Sequence, residues 1–205
     1  MEKIIYLIRH SGPFIEYDNQ ENMSWYEFNK NMILSVEGEE NAKTLCKIDE
    51  LKGIKNIYSS NSTRAIGTAK YIVEMNNAKI KIDNRINERD FGIEYLSDLP
   101  EDFTEHSFID KNYKIKTGES LNDMDNRCNE FISDILNKNN KSIIVIHGIM
   151  LLSYLQNNCD FKFENGKVFV TYKNKIIVHE KPKSPGVYKI VYDEHDNIID
   201  MNNIN

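Results

Sequence analysis

Two short apolar runs, each closed by a histidine, constrain this chain more than any other feature. Residues 3–8, Lys-Ile-Ile-Tyr-Leu-Ile, lead into Arg9-His10, and residues 142–146, Ser-Ile-Ile-Val-Ile, lead into His147-Gly148. Both read as short buried strands. Another short strand is expected over 53–60, ending in Ser59-Ser60, and a fourth over 78–83, where apolar and polar residues alternate. Helical spacing separates them. Ser35, Gly38, Ala42, Leu45 and Ile48 predict a helix over 34–52. A second helix is expected over 62–75, capped by Ser62 or Thr63. Leu121, Met124, Cys128, Phe131, Ile132 and Ile135 predict an amphipathic helix over 118–138. Another helix begins at 149–156, and residues 167–180 and 186–201 read as a terminal pair or trio of strands. Residues 12–33 lack clear periodicity and read as a long loop. Residues 84–118 read as a loop with one or two short helices, and their excursion at 93–117 is expected near the site. Strands alternating with helices imply an α/β fold, a three-layer α/β/α sandwich with a mostly parallel sheet, in one domain over 1–205.

The balance of residues narrows the function. With 205 residues, 40% hydrophobic and 28% charged, the chain is long and apolar enough for a sizeable core, which excludes global disorder. A net charge of −6 gives no general attraction to nucleic acid or anionic lipid, so neither partner is expected. No signal peptide is expected at the N-terminus, and no run approaches a membrane span of roughly 20 apolar residues. Cys46, Cys128 and Cys159 have neither metal-ligand nor disulfide-framework spacing, which suits a reducing cytoplasm.

An acidic chain that binds an anion needs a local positive pocket, and only five of the 26 basic residues are arginines: Arg9, Arg64, Arg85, Arg89 and Arg127. In open α/β sheets ligands bind beyond the carboxyl ends of the strands. Those ends carry Arg9, His10 and Ser11 after the first strand, Ser59, Ser60 and then Arg64 after the second, and His147-Gly148 after the apolar strand at 142–146. Parallel pairing brings these ends to one edge, where two arginines, two histidines and the amides opening the helix near Thr63 form an oxyanion pocket.

These residues carry a resemblance. Ile-Tyr-Leu-Ile-Arg-His-Ser resembles the Arg-His-Gly signature of the histidine phosphatase superfamily, the phosphoglycerate mutase-like group. In the same order, residues 34–42, 57–69 and 86–92, the Gly-Glu-Ser at 118–120 and Ile-Ile-Val-Ile-His-Gly at 143–148 are similar to further blocks of that family. The resemblance implies a phosphohistidine nucleophile at His10. Arg9, Arg64 and His147 would clamp the phosphoryl oxygens, with Ser11 and Gly148 beside them. Glu88 would be the proton donor, with Asp90 and Glu94 as nearby candidates. It implies a cytoplasmic phosphomonoester phosphatase acting on a small phosphorylated metabolite, with no metal and no cofactor. A phosphoglycerate mutase and a catalytically inactive phospho-ligand binding module are the alternatives.

The sequence departs from the family pattern at Ser11, which replaces glycine and adds bulk beside the phosphate. Gly12, Pro13 and Glu16 stand where Glu-Thr or Glu-Ser and an asparagine are usual, leaving Asn19 or Asn22 as candidates for the missing contact. Trp25, Tyr26 and Phe28 either line the substrate mouth or anchor the 12–33 loop. One of Arg85 and Arg89 reaches a second anionic group on the substrate, or both are solvated. His106, His179 and His195 match nothing catalytic and are expected on the surface.

Overall fold

A computed structural model describes residues 1–16 and 23–205. Six strands form one sheet in the order β3-β2-β4-β1-β8-β9. They are β1 (Lys3–Arg9), β2 (Asn56–Ser59), β3 (Lys79–Ile82), β4 (Lys141–Ile146), β8 (Gly186–Tyr192) and β9 (Ile198–Asn203). The pairs β1–β4, β2–β4 and β2–β3 are parallel, whereas β8 runs antiparallel to both β1 and β9. Between β4 and β8 the chain builds a separate antiparallel sheet from β5 (Asp160–Glu164), β6 (Lys167–Tyr172) and β7 (Lys175–Glu180).

Side chains alternate between the faces of a strand, so one strand feeds two cores. Ile5 and Leu7 of β1 join Ile144, Ile146, Tyr188 and Ile190 on one face of the sheet. That face is covered by α5 (Leu121–Leu136) and α6 (Gly148–Asn158), through Met124, Phe131, Met150 and Leu151. Tyr6 and Ile8 point the other way, with Ile143 and Val145, onto Ala65, Ala69 and Ile72 of α3 (Thr63–Met75). Beside α3 lies α2 (Val36–Thr44). Helices on both faces of a mostly parallel sheet make the expected α/β/α sandwich.

The structure corrects several expectations. The segment 12–33 holds a helix, α1 (Trp25–Asn31), whose first turn is capped by the Ser24 hydroxyl on the Glu27 amide. Seven residues are too few to display helical periodicity in sequence. The helix expected over 34–52 stops at Thr44 and continues as two 3-10 turns, 45–47 and 49–51. Ser62 occupies the N-cap position of α3 without a side-chain capping bond. The terminal pair or trio of strands over 167–201 is four strands, β6 to β9, in two sheets, preceded by β5. Of these, β8 lies inside the large sheet and β9 forms its edge, packed against β7. The excursion carries α4 (Phe103–Ile109). Trp25 and Met32 pack on Ile93, with Phe28, Phe91 and Leu96 around them, so Trp25 and Phe28 anchor α1 to the excursion. His106, His179 and His195 are exposed. Among the described residues no helix is long and apolar enough to cross a membrane.

One close approach fastens the excursion to α5. Gly92 adopts φ +67, in the left-handed region that glycine tolerates. A Cβ on Gly118 would sit 2.4 Å from the Phe91 carbonyl oxygen, so only glycine lets the two backbones touch. The contact is sealed where the Glu119 amide donates to Asp90 O at 2.7 Å, and the Asp90 amide donates to Glu119 Oε2 at 3.0 Å. Immediately afterwards Ser120 and Asp123 form a capping box that starts α5. Replacing Gly118 by alanine is expected to destabilise the fold by about 1–3 kcal/mol, as overpacking against rigid backbone does. A lowered urea midpoint at unchanged slope would show it.

Candidate active site

The site is assembled by strand register. Arg9 is opposite Ile146, and Ser59 is opposite Val145, so β1, β2 and β4 end side by side. His10, Ser60 and His147, the residues that follow these ends, therefore meet. The His10 amide still donates to Ile146 O at 2.9 Å and the Ser60 amide to Val145 O at 3.2 Å, which holds the first residue beyond each strand in place. The rings of His10 and His147 are 5.1 Å apart.

Hydrogen bonds fix both tautomers. His10 Nδ1 lies 2.7 Å from Ser11 O. A carbonyl only accepts, so Nδ1 carries the proton and Nε2 keeps its lone pair. Nε2 accepts from Arg64 Nε at 3.0 Å. Arg64 Nη2 donates to His147 Nδ1 at 3.1 Å, and a guanidinium cannot accept, so His147 is protonated at Nε2, which donates to Ser60 Oγ at 2.7 Å. Arg64 Nη1 donates to the Asn29 carbonyl of α1. Arg64 is 3% exposed, His10 5% and His147 0%.

Burial and neighbouring guanidiniums keep both imidazoles neutral. Burial first, then Arg64 and Arg9, push His10 down to about 3, against the opposing bond to Ser11 O. Burial and Arg64 hold His147 well below its usual range. Arg9 donates through Nη1 to Pro182 O at 2.6 Å, while its buried Nε has no partner among the described residues. Gly148 opens α6 and makes room for this side chain, since a Cβ there would stand 3.2 Å from Arg9 Nε.

Glu88 approaches from the side. Its Oε2 is 3.9 Å from His147 Nδ1, and its Oε1 accepts from the Arg89 amide at 3.0 Å. Burial raises its pKa against the opposing pull of Arg64, Arg9 and Arg127. Of the other candidate acids, Asp90 uses Oδ1 to accept from the Gly92 amide, and Glu94 is exposed.

Three expectations change. Ser11 offers neither its amide nor its hydroxyl to the cradle. Its amide donates to Thr68 Oγ1 at 2.9 Å and its hydroxyl to Gly38 O at 2.7 Å, so the added bulk turns into a tie to α2 and α3. Arg85 is paired with Asp83 and Asp134. Arg89 is 3% exposed and donates to Glu119 O, Ser107 Oγ and Tyr113 O, so it is neither solvated nor turned to a substrate. Asn19 and Asn22 lie outside the described residues.

The structure also reveals residues that sequence reasoning left without a role. Arg127, on α5, grips Glu119 through Nε and Nη2 and donates from Nη1 to the carbonyls of Arg85 and Asn87. It fixes the segment carrying Glu88. No local signal marks this, because the partners lie up to 42 residues away. Ser60 was visible at a strand end, but its bond to His147 depends on register. Among the described residues no three His, Cys, Asp or Glu side chains are grouped as metal ligands. A cavity of about 880 Å³ lies towards the opposite end of the sheet, between Leu136, Tyr154, Tyr172 and Tyr192, and no arginine or histidine lines it.

A family model, the histidine phosphatase superfamily (branch 1), matches residues 5–180. The chain belongs to the histidine phosphatase superfamily. It is a phosphatase of that type. No curated protein sequence matches it. Among solved structures it is similar to a mycobacterial glucosyl-3-phosphoglycerate phosphatase, at 14% identity over 99% of this chain and 97% of the other, with a TM-score of 0.70. It is also similar to YhfR of Bacillus stearothermophilus, at 20% identity, 96% and 94% coverage and a TM-score of 0.68. A third similar structure is a putative alpha-ribazole-5'-P phosphatase of Escherichia coli, at 17% identity, 98% and 96% coverage and a TM-score of 0.66. At these identities the structures show the shared fold.

The depressed histidines couple stability to pH. A folded pKa below the unfolded value of about 6.5 means that the unfolded chain binds more protons, so stability falls as pH drops below that value. For His10 alone the loss at pH 5 is roughly 2 kcal/mol. Urea unfolding at pH 7 and pH 5 is expected to show this decline, and His10→Gln to reduce its slope.

Proposed function

We propose that this phosphatase hydrolyses a small phosphorylated metabolite without a metal, through a phosphohistidine on His10. The observation that carries the reading is the His10 Nε2 lone pair, fixed by the Nδ1–H bond to Ser11 O and placed among Arg64, Arg9 and His147. A neutral imidazole is the nucleophilic form, and burial beside two guanidiniums keeps it so through the physiological range.

In the first step Nε2 attacks phosphorus, the bond from phosphorus to the leaving oxygen breaks, and Glu88 gives that oxygen its proton. Arg64 shifts its donation from the imidazole to a phosphoryl oxygen. Arg9 Nε, buried with no partner among the described residues, supplies a second donor, and His147 a third group beside the phosphoryl. The Ser11 carbonyl, still bonded to Nδ1–H, stabilises the positive charge the ring acquires. In the second step the Glu88 carboxylate takes a proton from water, the water oxygen attacks phosphorus, and the phosphorus–nitrogen bond breaks to release phosphate and neutral His10. Phosphoryl transfer needs mainly alignment and charge stabilisation, which two arginines and two histidines provide. The mutase alternative needs a site for a second anion, and Lys111 and Lys114 of the excursion are paired with Asp125 and Asp123.

Hydrolysis of p-nitrophenyl phosphate in excess EDTA tests the reading. The wild type is expected to turn over, and His10→Ala to lose at least about 10³-fold, as removal of a covalent nucleophile does. Activity that depends on added metal, or that survives His10→Ala, would overturn it.

Glu88 makes a separate prediction. Protonated in the first step, it gives kcat a decline on the alkaline side. Glu88→Gln is expected to cost about 10²–10⁴-fold with alkyl phosphates. It should cost much less in phosphoenzyme formation from p-nitrophenyl phosphate, whose phenolate leaves unprotonated. Equal losses in that step for both substrates would remove Glu88 as the acid.

A further inference from the structure

The groups around Glu88 also define what it protonates. If Glu88 is the acid, as the phosphohistidine reading above has it, the alcohol part of the substrate lies beside its carboxyl. A chamber of about 260 Å³ opens there, between Glu88 and Tyr26, Asn84, Asn87, Asp90 and Glu119. Arg127 reaches it but has nothing left to offer. Its Nε and one Nη2 hydrogen go to the Glu119 carboxylate at 2.7 and 2.8 Å, both Nη1 hydrogens to the carbonyls of Arg85 and Asn87 at 2.8 Å, and the last to Glu88 O at 3.4 Å. All five donors of the guanidinium are used.

The neighbouring cations are committed as well. Arg85 is paired with Asp83 and Asp134, and Arg89 is buried among Glu119 O, Ser107 and Tyr113 O. Lys30 borders a different recess beside Glu88, of about 10 Å³, which has room for little more than one water. Glu119 is balanced by Arg127, but Asp90 has no ion pair among the described residues. The described lining of the chamber therefore presents acceptors, amides and one unbalanced carboxylate, and its one cation, Arg127, has no donor left to receive an anion.

We infer that the site takes phosphomonoesters of uncharged, hydroxylated alcohols, of polyol or sugar type, and discriminates against sugar acids and bisphosphates. Hydroxyl groups find acceptors on Asp90 and the asparagine amides. A carboxylate or second phosphate there meets Asp90 at short range in a partly buried space, where like charges repel strongly.

Glycerol 3-phosphate and 3-phosphoglycerate test this directly, because they differ only in a hydroxymethyl against a carboxylate. Each is measured as a competitor of p-nitrophenyl phosphate hydrolysis, so binding is read whether or not the competitor turns over. Glycerol 3-phosphate is expected to compete at a concentration at least tenfold lower. Asp90→Asn, which keeps an acceptor for the Gly92 amide while removing the charge, is expected to narrow that ratio. Equal competition, tighter binding of 3-phosphoglycerate, or a ratio unmoved by Asp90→Asn overturns the inference while leaving the phosphohistidine reading intact. No hydrolysis of p-nitrophenyl phosphate by folded protein would overturn that reading and this inference with it.

Discussion

The Arg64 guanidinium, buried between two imidazoles, is the interaction on which the site depends. A charge taken out of water costs several kcal/mol unless hydrogen bonds and nearby charge offset it. Among the described residues no carboxylate binds the fork directly. It donates instead to His10 Nε2, His147 Nδ1 and the Asn29 carbonyl, with Glu88 as a counter-charge acting through space. Each imidazole must present a lone pair to Arg64, so neither can carry a second proton. The same contact keeps a lone pair on His10 Nε2, keeps His147 neutral, and makes the space between them favourable to an anion.

Glu88 is held by different means. It is carried on a segment outside the sheet, so strand register does not place it. Two devices do. The bare backbones at Gly92 and Gly118 meet, which brings Glu119 and the start of α5 against Asp90. Arg127 then reaches back from α5 to the carbonyls of Arg85 and Asn87. Burial that raises the Glu88 pKa is a product of this docking, since α1 and the excursion enclose the segment. His10 thus rests on the sheet, and Glu88 on a stapled crossing of loops.

Much of this was legible in the chain. The apolar runs at 3–8 and 142–146 announced β1 and β4, and the polar residues after them marked the edge where Arg9, His10, Arg64 and His147 gather. The helix over 118–138 was readable because α5 repeats its apolar face for four turns. The short α1 was not, because Trp25 and Phe28 are apolar for their contact with Ile93 and Phe91, which sequence spacing does not encode. Ser11 looked like a phosphate contact, yet its hydroxyl and amide bind Gly38 and Thr68, partners 27 and 57 residues away.

The sequence by itself determined the order of strands and helices, the residue types at three strand ends, and the scarcity of arginine that made those ends conspicuous. These are local properties, set by side-chain period and by what stands next to what along the chain. Only packing settles which imidazole nitrogen carries a proton, that Arg85, Arg89 and Arg127 are committed to protein partners, and that Asp90 lines the chamber without a counter-charge among the described residues. Protonation and availability depend on burial and on hydrogen bonds between residues tens of positions apart, and those exist only once the sheet, α5 and the excursion have packed.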